Sequence, residues 1–255
     1  NLKLYLNEIP PLYEGNNAIL IDRRFSEDDQ SVSFVNLPIS NHNVNFRKSK
    51  VLFNLDLNKG RVMSKRSDIV SGVFSYQSRL NETYLINKES IEELGYEISE
   101  IDTFSIDRKL MEKIYPVKTK VNSQFQIKNG VVKVTDSIYS INLSNILTLK
   151  YFEKSKQERE LDFYPLFLYK DHASIYLESE HKIELVNEEN LRTELYNECV
   201  DFKLTFLQIS DKMIKIDASV YLKKAKINSD EYEFYLQFVE KIESLKKANL
   251  VFKVS

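Results

Sequence analysis

The sequence predicts an α+β fold: strand-rich, with mostly antiparallel sheets, a few helices and two domains. Three observations carry that expectation. Between residues 145 and 187, four apolar, β-branched and aromatic runs (146–152, 163–169, 174–177 and 182–186) are separated by short polar breaks, the pattern of consecutive antiparallel strands. Residues 213–222 alternate without a fault, with Ile214, Ile216, Ala218, Val220 and Leu222 on one side and Lys215, Asp217, Ser219 and Tyr221 on the other. Such alternation belongs to a sheet with one wet face. Finally, strand patterns follow one another in hairpin order, with helical patterns at the ends and no regular β-α-β succession.

Taken in order, Leu2, Leu4 and Leu6 mark a half-buried strand that Pro10 and Pro11 end, because proline lacks the N–H a ladder needs. Residues 18–25 and 31–37 form a hairpin across the acidic turn 26–30. Residues 51–57, with Val51, Phe53, Leu55 and Leu57 on one face, lead through Asn58, Lys59 and Gly60 into a partner strand at 61–65. A short strand at 84–86 precedes a helix at 88–94, capped by Asn87 and stopped by Gly95. A second helix is expected at 107–115, ending before Pro116. The polar stretch 117–123 then divides the chain into domains 1–118 and 119–255.

Beyond that boundary, Asn129-Gly130 between 124–128 and 131–135 predicts a type I′ hairpin, whose two central residues both need positive φ. After the four runs comes a helix over 188–200, capped by Asn187, with Leu191, Leu195 and Cys199 recurring every four residues. The last helix is expected at 230–247, and a final strand at 250–254.

Composition narrows function mainly by exclusion. Lys+Arg 36 against Asp+Glu 38 gives a net charge of −2, so attraction to nucleic acid or anionic lipid has to come from a local patch. Only five glycines occur, widely spaced, which excludes phosphate loops, dinucleotide fingerprints and nucleophile elbows, each of which needs closely spaced glycines. His42, His172 and His181 have no zinc-ligand spacing, and the single cysteine, Cys199, forms no internal disulfide. The absent disulfide framework suits a reducing, cytoplasmic setting. No apolar run approaches the roughly 18–20 residues of a membrane helix, and no membrane partner is expected. The Lys-, Asn- and Ile-rich composition suits an AT-rich bacterial or viral genome.

Two constellations carry chemistry. Asp171, followed by Glu180 and Lys182, has the Asp…Glu-x-Lys form of metal-dependent nucleases: two hard carboxylates hold Mg²⁺ or Mn²⁺ and the lysine polarises water or phosphate. The same residues also read as hairpin turns. Separately, Arg47, Lys48 and Lys50 precede one strand of a predicted hairpin, and Arg61, Lys65 and Arg66 lie on or beyond its partner. Together they form a patch suited to nucleic-acid phosphates, or else a sheet edge where cations block strand pairing. The run Pro165 to Asp171, followed by Ile175, Tyr176 and Leu177, is similar to the central segment of WYL domains, small β-barrel ligand sensors attached to bacterial DNA-binding modules. That likeness covers about forty residues, with Ile175 at the tryptophan position and the family's downstream arginines absent.

Because no acid–base, nucleophile or cofactor site assembles in the order of the residues, the expected function is non-catalytic. The chain reads as an intracellular recognition or adaptor protein whose surfaces meet a protein partner, a second copy or nucleic acid, without a cofactor. The alternative is the divalent-metal nuclease of Asp171, Glu180 and Lys182, the one reading that brings in Mg²⁺ or Mn²⁺.

Overall fold

The structure, a computed structural model, describes residues 17–22, 31–36, 41, 43–75, 101–112, 116–149, 168–224 and 227–255. In chain order the elements are β1 (Asn17–Asp22), β2 (Ser31–Asn36), β3 (Phe46–Asp56), β4 (Arg61–Ser71), β5 (Ile101–Glu112), β6 (Lys118–Ile127), β7 (Val132–Lys133), β8 (Ile138–Asn142), β9 (Lys170–Ser179), β10 (Ile183–Leu185), α1 (Glu188–Leu191), β11 (Thr193–Tyr196), β12 (Val200–Ser210), β13 (Met213–Leu222), α2 (Tyr232–Lys247) and β14 (Asn249–Val254). The fold is strand-rich with few helices, as its alternating patterns predict.

One eight-stranded sheet dominates, in the order β11-β12-β13-β9-β3-β4-β6-β5. Its neighbours run antiparallel except at β3–β9, a parallel seam in which Phe46 faces Lys170 and Arg47 faces Asp171. A four-stranded sheet, β10-β14-β8-β7, is antiparallel throughout, and β1–β2 form a separate hairpin.

The inner face of the large sheet carries Val51, Phe53, Leu55, Ile175, Leu177, Phe202, Leu204 and the inward residues of β13, all buried. Against it lies α2, whose Tyr235, Phe238, Val239, Ile242 and Leu245 form the buried stripe. The Phe202 and Phe238 rings meet edge to face at 5.8 Å. Each such side chain, fully withdrawn from water, contributes roughly 1.5–3 kcal/mol. Glu233 in the first turn and Lys246 and Lys247 in the last suit the helix dipole. The four-stranded sheet adds Ile141, Leu250 and Phe252 to the same core.

Several expectations are corrected. Residues 107–112 belong to β5, not to a helix: Ile106, Arg108 and Leu110 lie half-buried between exposed neighbours, and pairing with β6 overrides local helix propensity. The helix at 188–200 shrinks to the single turn α1, after which β11 pairs with β12. Asn187 does not cap it. Its Nδ2 donates to the Asn249 carbonyl at 2.9 Å and its Oδ1 accepts from the Val251 N–H at 2.8 Å, joining the turn to β14.

Strands β6 and β7 enter different sheets, so Asn129-Gly130 closes no hairpin. Asn129 alone takes a positive φ, 53°, and a Cβ on Gly130 would stand 2.8 Å from Val62 Cγ2, so close packing accounts for that glycine. Of the four runs, 174–177 lies within β9 and 182–186 around β10, in separate sheets; 146–149 is buried but not a strand. The expected elements at 2–6, 84–86 and 88–94 fall outside the described residues. Residue 118, the expected domain boundary, opens β6 in the interior of a sheet that takes strands from both sides of it. Among the described residues no helix is long and apolar enough to cross a membrane.

Candidate functional site: two faces of one sheet

Alternation divides the charged residues of β3, β4 and β9 between two faces. Arg47 and Arg66 point inward and are 6% and 3% exposed; Lys48, Lys50 and Lys65 point outward. The six-residue basic patch therefore does not exist as a unit, because Arg47 and Arg66 occupy the parity of Val51 and Val62.

Both buried arginines are matched. Arg47 Nε donates to Asp171 Oδ1 at 2.8 Å, while its Nη2 donates to Asp171 Oδ2 and to the Thr148 carbonyl. Its guanidinium carbon lies 5.7 Å from the centre of the Phe74 ring. Arg66 Nε donates to both oxygens of Asp68 at 2.8 Å, Nη1 to Thr148 Oγ1 at 2.8 Å and Nη2 to Ser49 Oγ at 3.1 Å. Guanidinium supplies the planar donor fork that such a site needs and lysine does not. Beside this network, burial pushes the Tyr169 phenol well above its ordinary pKa.

The metal-site residues are not brought together. Asp171 is 1% exposed and engaged by Arg47 near the start of β9, whereas Glu180 lies just past the strand's end, nine residues and about 30 Å away. Glu180 and His181 instead border an open cleft of about 800 Å³ with Asp56, Arg61 and Lys212. Lys182 pairs with Asp211 at 3.4 Å. No group of three potential ligands capable of holding a metal occurs among the described residues.

The outer face is a different surface. The β3–β9 and β3–β4 registers set Lys170 diagonal to Lys48, Lys48 two residues from Lys50, and Lys50 diagonal to Lys65. Each step spans about 7–8 Å. All four are exposed, and no carboxylate among the described residues pairs with them. Three of them lie over rings: Lys48 Nζ is 5.5 Å from the Phe46 centroid, Lys50 Nζ 5.6 Å from that of Tyr176 and Lys170 Nζ 4.7 Å from that of Tyr221. Lys120, half-buried, lies on the same face across Ile69.

Flanking cations are neutralised. Lys203 bonds Glu194 at 2.6 Å, raising the lysine pKa and lowering that of the glutamate, and Lys215 bonds Asp217 at 2.6 Å, which raises its own. Arg61 shares the outer face but stands at the β3–β4 turn, about 13 Å along the strand from Lys65.

Sequence reasoning missed Lys120, Lys170, Tyr176 and Tyr221 as partners of Lys48 and Lys50. The signal for Lys120 was present, since Thr119, Val121 and Ser123 alternate with Lys118, Lys120 and Asn122 in the stretch read as a polar boundary. The parallel seam that brings β9 beside β3 left no comparable trace in the order of the residues. No protein-family model matches the chain, and no curated protein matches it.

Proposed function

We propose that the chain is a non-catalytic recognition protein of the adaptor kind, whose contact surface is the outer face of the eight-stranded sheet and whose partner is an anionic macromolecule. One observation carries this reading: the exposed lysines lie on β9, β3 and β4, in the interior of the sheet. Cations that block strand pairing belong on edge strands, so edge protection does not account for them.

The test is retention on an immobilised polyanion such as heparin at low salt. The wild-type chain is expected to bind and to elute with added salt, and a variant with Lys48, Lys50, Lys65 and Lys170 all changed to Gln is expected to flow through. Equal elution of the two proteins would remove the outer face from consideration. The metal-nuclease alternative is answered by incubation with plasmid or RNA and Mg²⁺ or Mn²⁺. Cleavage lost in Glu180→Ala would overturn the non-catalytic reading; the expected result is intact nucleic acid.

A further inference from the structure

Resting on that reading of the outer face, we infer that His172 is a further contact of the anionic partner and that its imidazole takes up a proton on binding, so that the surface holds a polyanion more tightly as pH falls from 8 to 6. Its place in the sheet carries this. His172 points outward directly opposite Lys48 across the parallel seam, with about 5 Å between the strands, and stands two residues from Lys170 on its own strand. Lys50, opposite Ser174, takes the diagonal place. Three of the four exposed lysines thus surround one imidazole.

The other groups that face it leave the ring available. From β13 come Ser219, directly opposite, with Asp217 and Tyr221 on the diagonals, and from β9 itself Lys170 and Ser174. Asp217 is the one carboxylate among these, and it is already engaged. Its Oδ1 accepts from Ser174 Oγ at 2.6 Å and its Oδ2 from Lys215 Nζ at 2.6 Å, whereas His172 Nε2 lies 4.0 Å from Oδ1, beyond hydrogen-bond reach. The His172 side chain is 48% exposed, open to a partner from solvent. Histidine is the side chain whose charge ordinarily changes between pH 5 and 8. Neutral, an imidazole offers an anion one N–H; protonated, it offers two, together with a positive charge. A partner whose negative groups rest on Lys170, Lys48 and Lys50 passes beside the ring and favours its protonated form. By linkage, the protonated form favours the partner to the same degree.

The experiment uses the full chain and heparin, whose sulfates stay ionised throughout, at fixed ionic strength. The wild-type chain is expected to bind heparin at least about threefold tighter at pH 6 than at pH 8. His172→Gln, polar but without a titrating ring, is expected to bind equally at both, with the affinity of the wild type at pH 8. His181→Gln, beyond the far end of β9, is expected to keep the full pH dependence. Nuclear magnetic resonance of the histidine-labelled wild-type chain reads the same event independently of how any variant folds. The His172 signals, identified by their absence from His172→Gln, are expected to titrate at higher pH when heparin is added. Affinity that ignores pH, a pH dependence that survives in His172→Gln, or His172 signals whose titration heparin leaves unmoved would each overturn the inference and leave the anion-binding face standing. Failure of the wild-type chain to bind heparin at either pH would remove both.

Discussion

Replacing Asp171 with Ala is expected to be among the most damaging single substitutions in the chain. It leaves a guanidinium, 6% exposed, with the Thr148 carbonyl and the Phe74 face as its remaining contacts. Removing one partner of a buried ion pair costs about 3–5 kcal/mol, most of it the desolvation of the charge left behind. With a urea slope near the upper end of the usual 1–3 kcal/mol per molar, suited to a chain of 255 residues, the unfolding midpoint should fall by about 1–2 M. Equilibrium urea titration followed by far-ultraviolet circular dichroism reads this directly. The double variant Arg47→Met/Asp171→Leu, which removes both charges and keeps apolar volume, should recover most of the loss. A loss below about 1 kcal/mol in Asp171→Ala, or a double variant no better than the single, would refute the argument that Asp171 serves to neutralise Arg47. The same experiment bears on the nuclease alternative, in which loss of Asp171 removes activity while the fold is unharmed.

Gly72→Ala should cost about 2–4 kcal/mol in the same titration: its φ is +58°, and the added Cβ would fall 2.1 Å from the Asn45 Oδ1 that accepts the Val73 N–H. Gly60→Ala, at φ +62° but with the Val131 carbonyl 3.0 Å away, should cost less, about 1–2 kcal/mol. Because burial raises the Tyr169 pKa above its ordinary 10, the folded state holds that proton longer than the unfolded chain does. Its contribution is therefore complete below pH 10 and declines as pH rises beyond it, and urea curves between pH 9 and 11 should show a shallower alkaline loss in Tyr169→Phe. Cys199 is fully buried with its thiol pKa raised by desolvation, so a disulfide reagent should modify it only after denaturant is added.

What the sequence disclosed was alternation; what it concealed was which strands meet. Residues 213–222 could be assigned to faces from their order alone, and β13 alternates buried and part-exposed residues along its whole length. The β3–β4 hairpin was legible through Gly60, whose positive φ the turn requires. Helical spacing misled at Leu191, Leu195 and Cys199. The first ends a single turn, the second lies on a strand and the third precedes another, so an i, i+4 coincidence was mistaken for a stripe. The basic patch failed for a related reason. Six cations close in sequence were counted together, although Arg47 and Lys48 differ in parity and so stand on opposite sides of a sheet about one residue thick.

That parity links the buried network to the open face. The β3–β9 seam joins strands distant in sequence, and in parallel pairing no short turn sets the register. The apolar pattern forbids a slip of one residue, which would turn Val51 and Phe53 outward, but a slip of two keeps every apolar side chain inward. Arg47 facing Asp171 distinguishes between those alternatives: displacement by two residues would set the guanidinium against Ala173 and part the buried ion pair. The inner ion pair thus selects the register that the hydrophobic pattern leaves open. The outer diagonal depends on the same choice, since Lys170 takes the diagonal place before Lys48 with Lys170 opposite Phe46, and a slip of two residues would move it out of that place. Geometry at the proposed contact surface is consequently set from the side that solvent never reaches, which explains why arginine and aspartate are spent where an apolar pair would have packed as well.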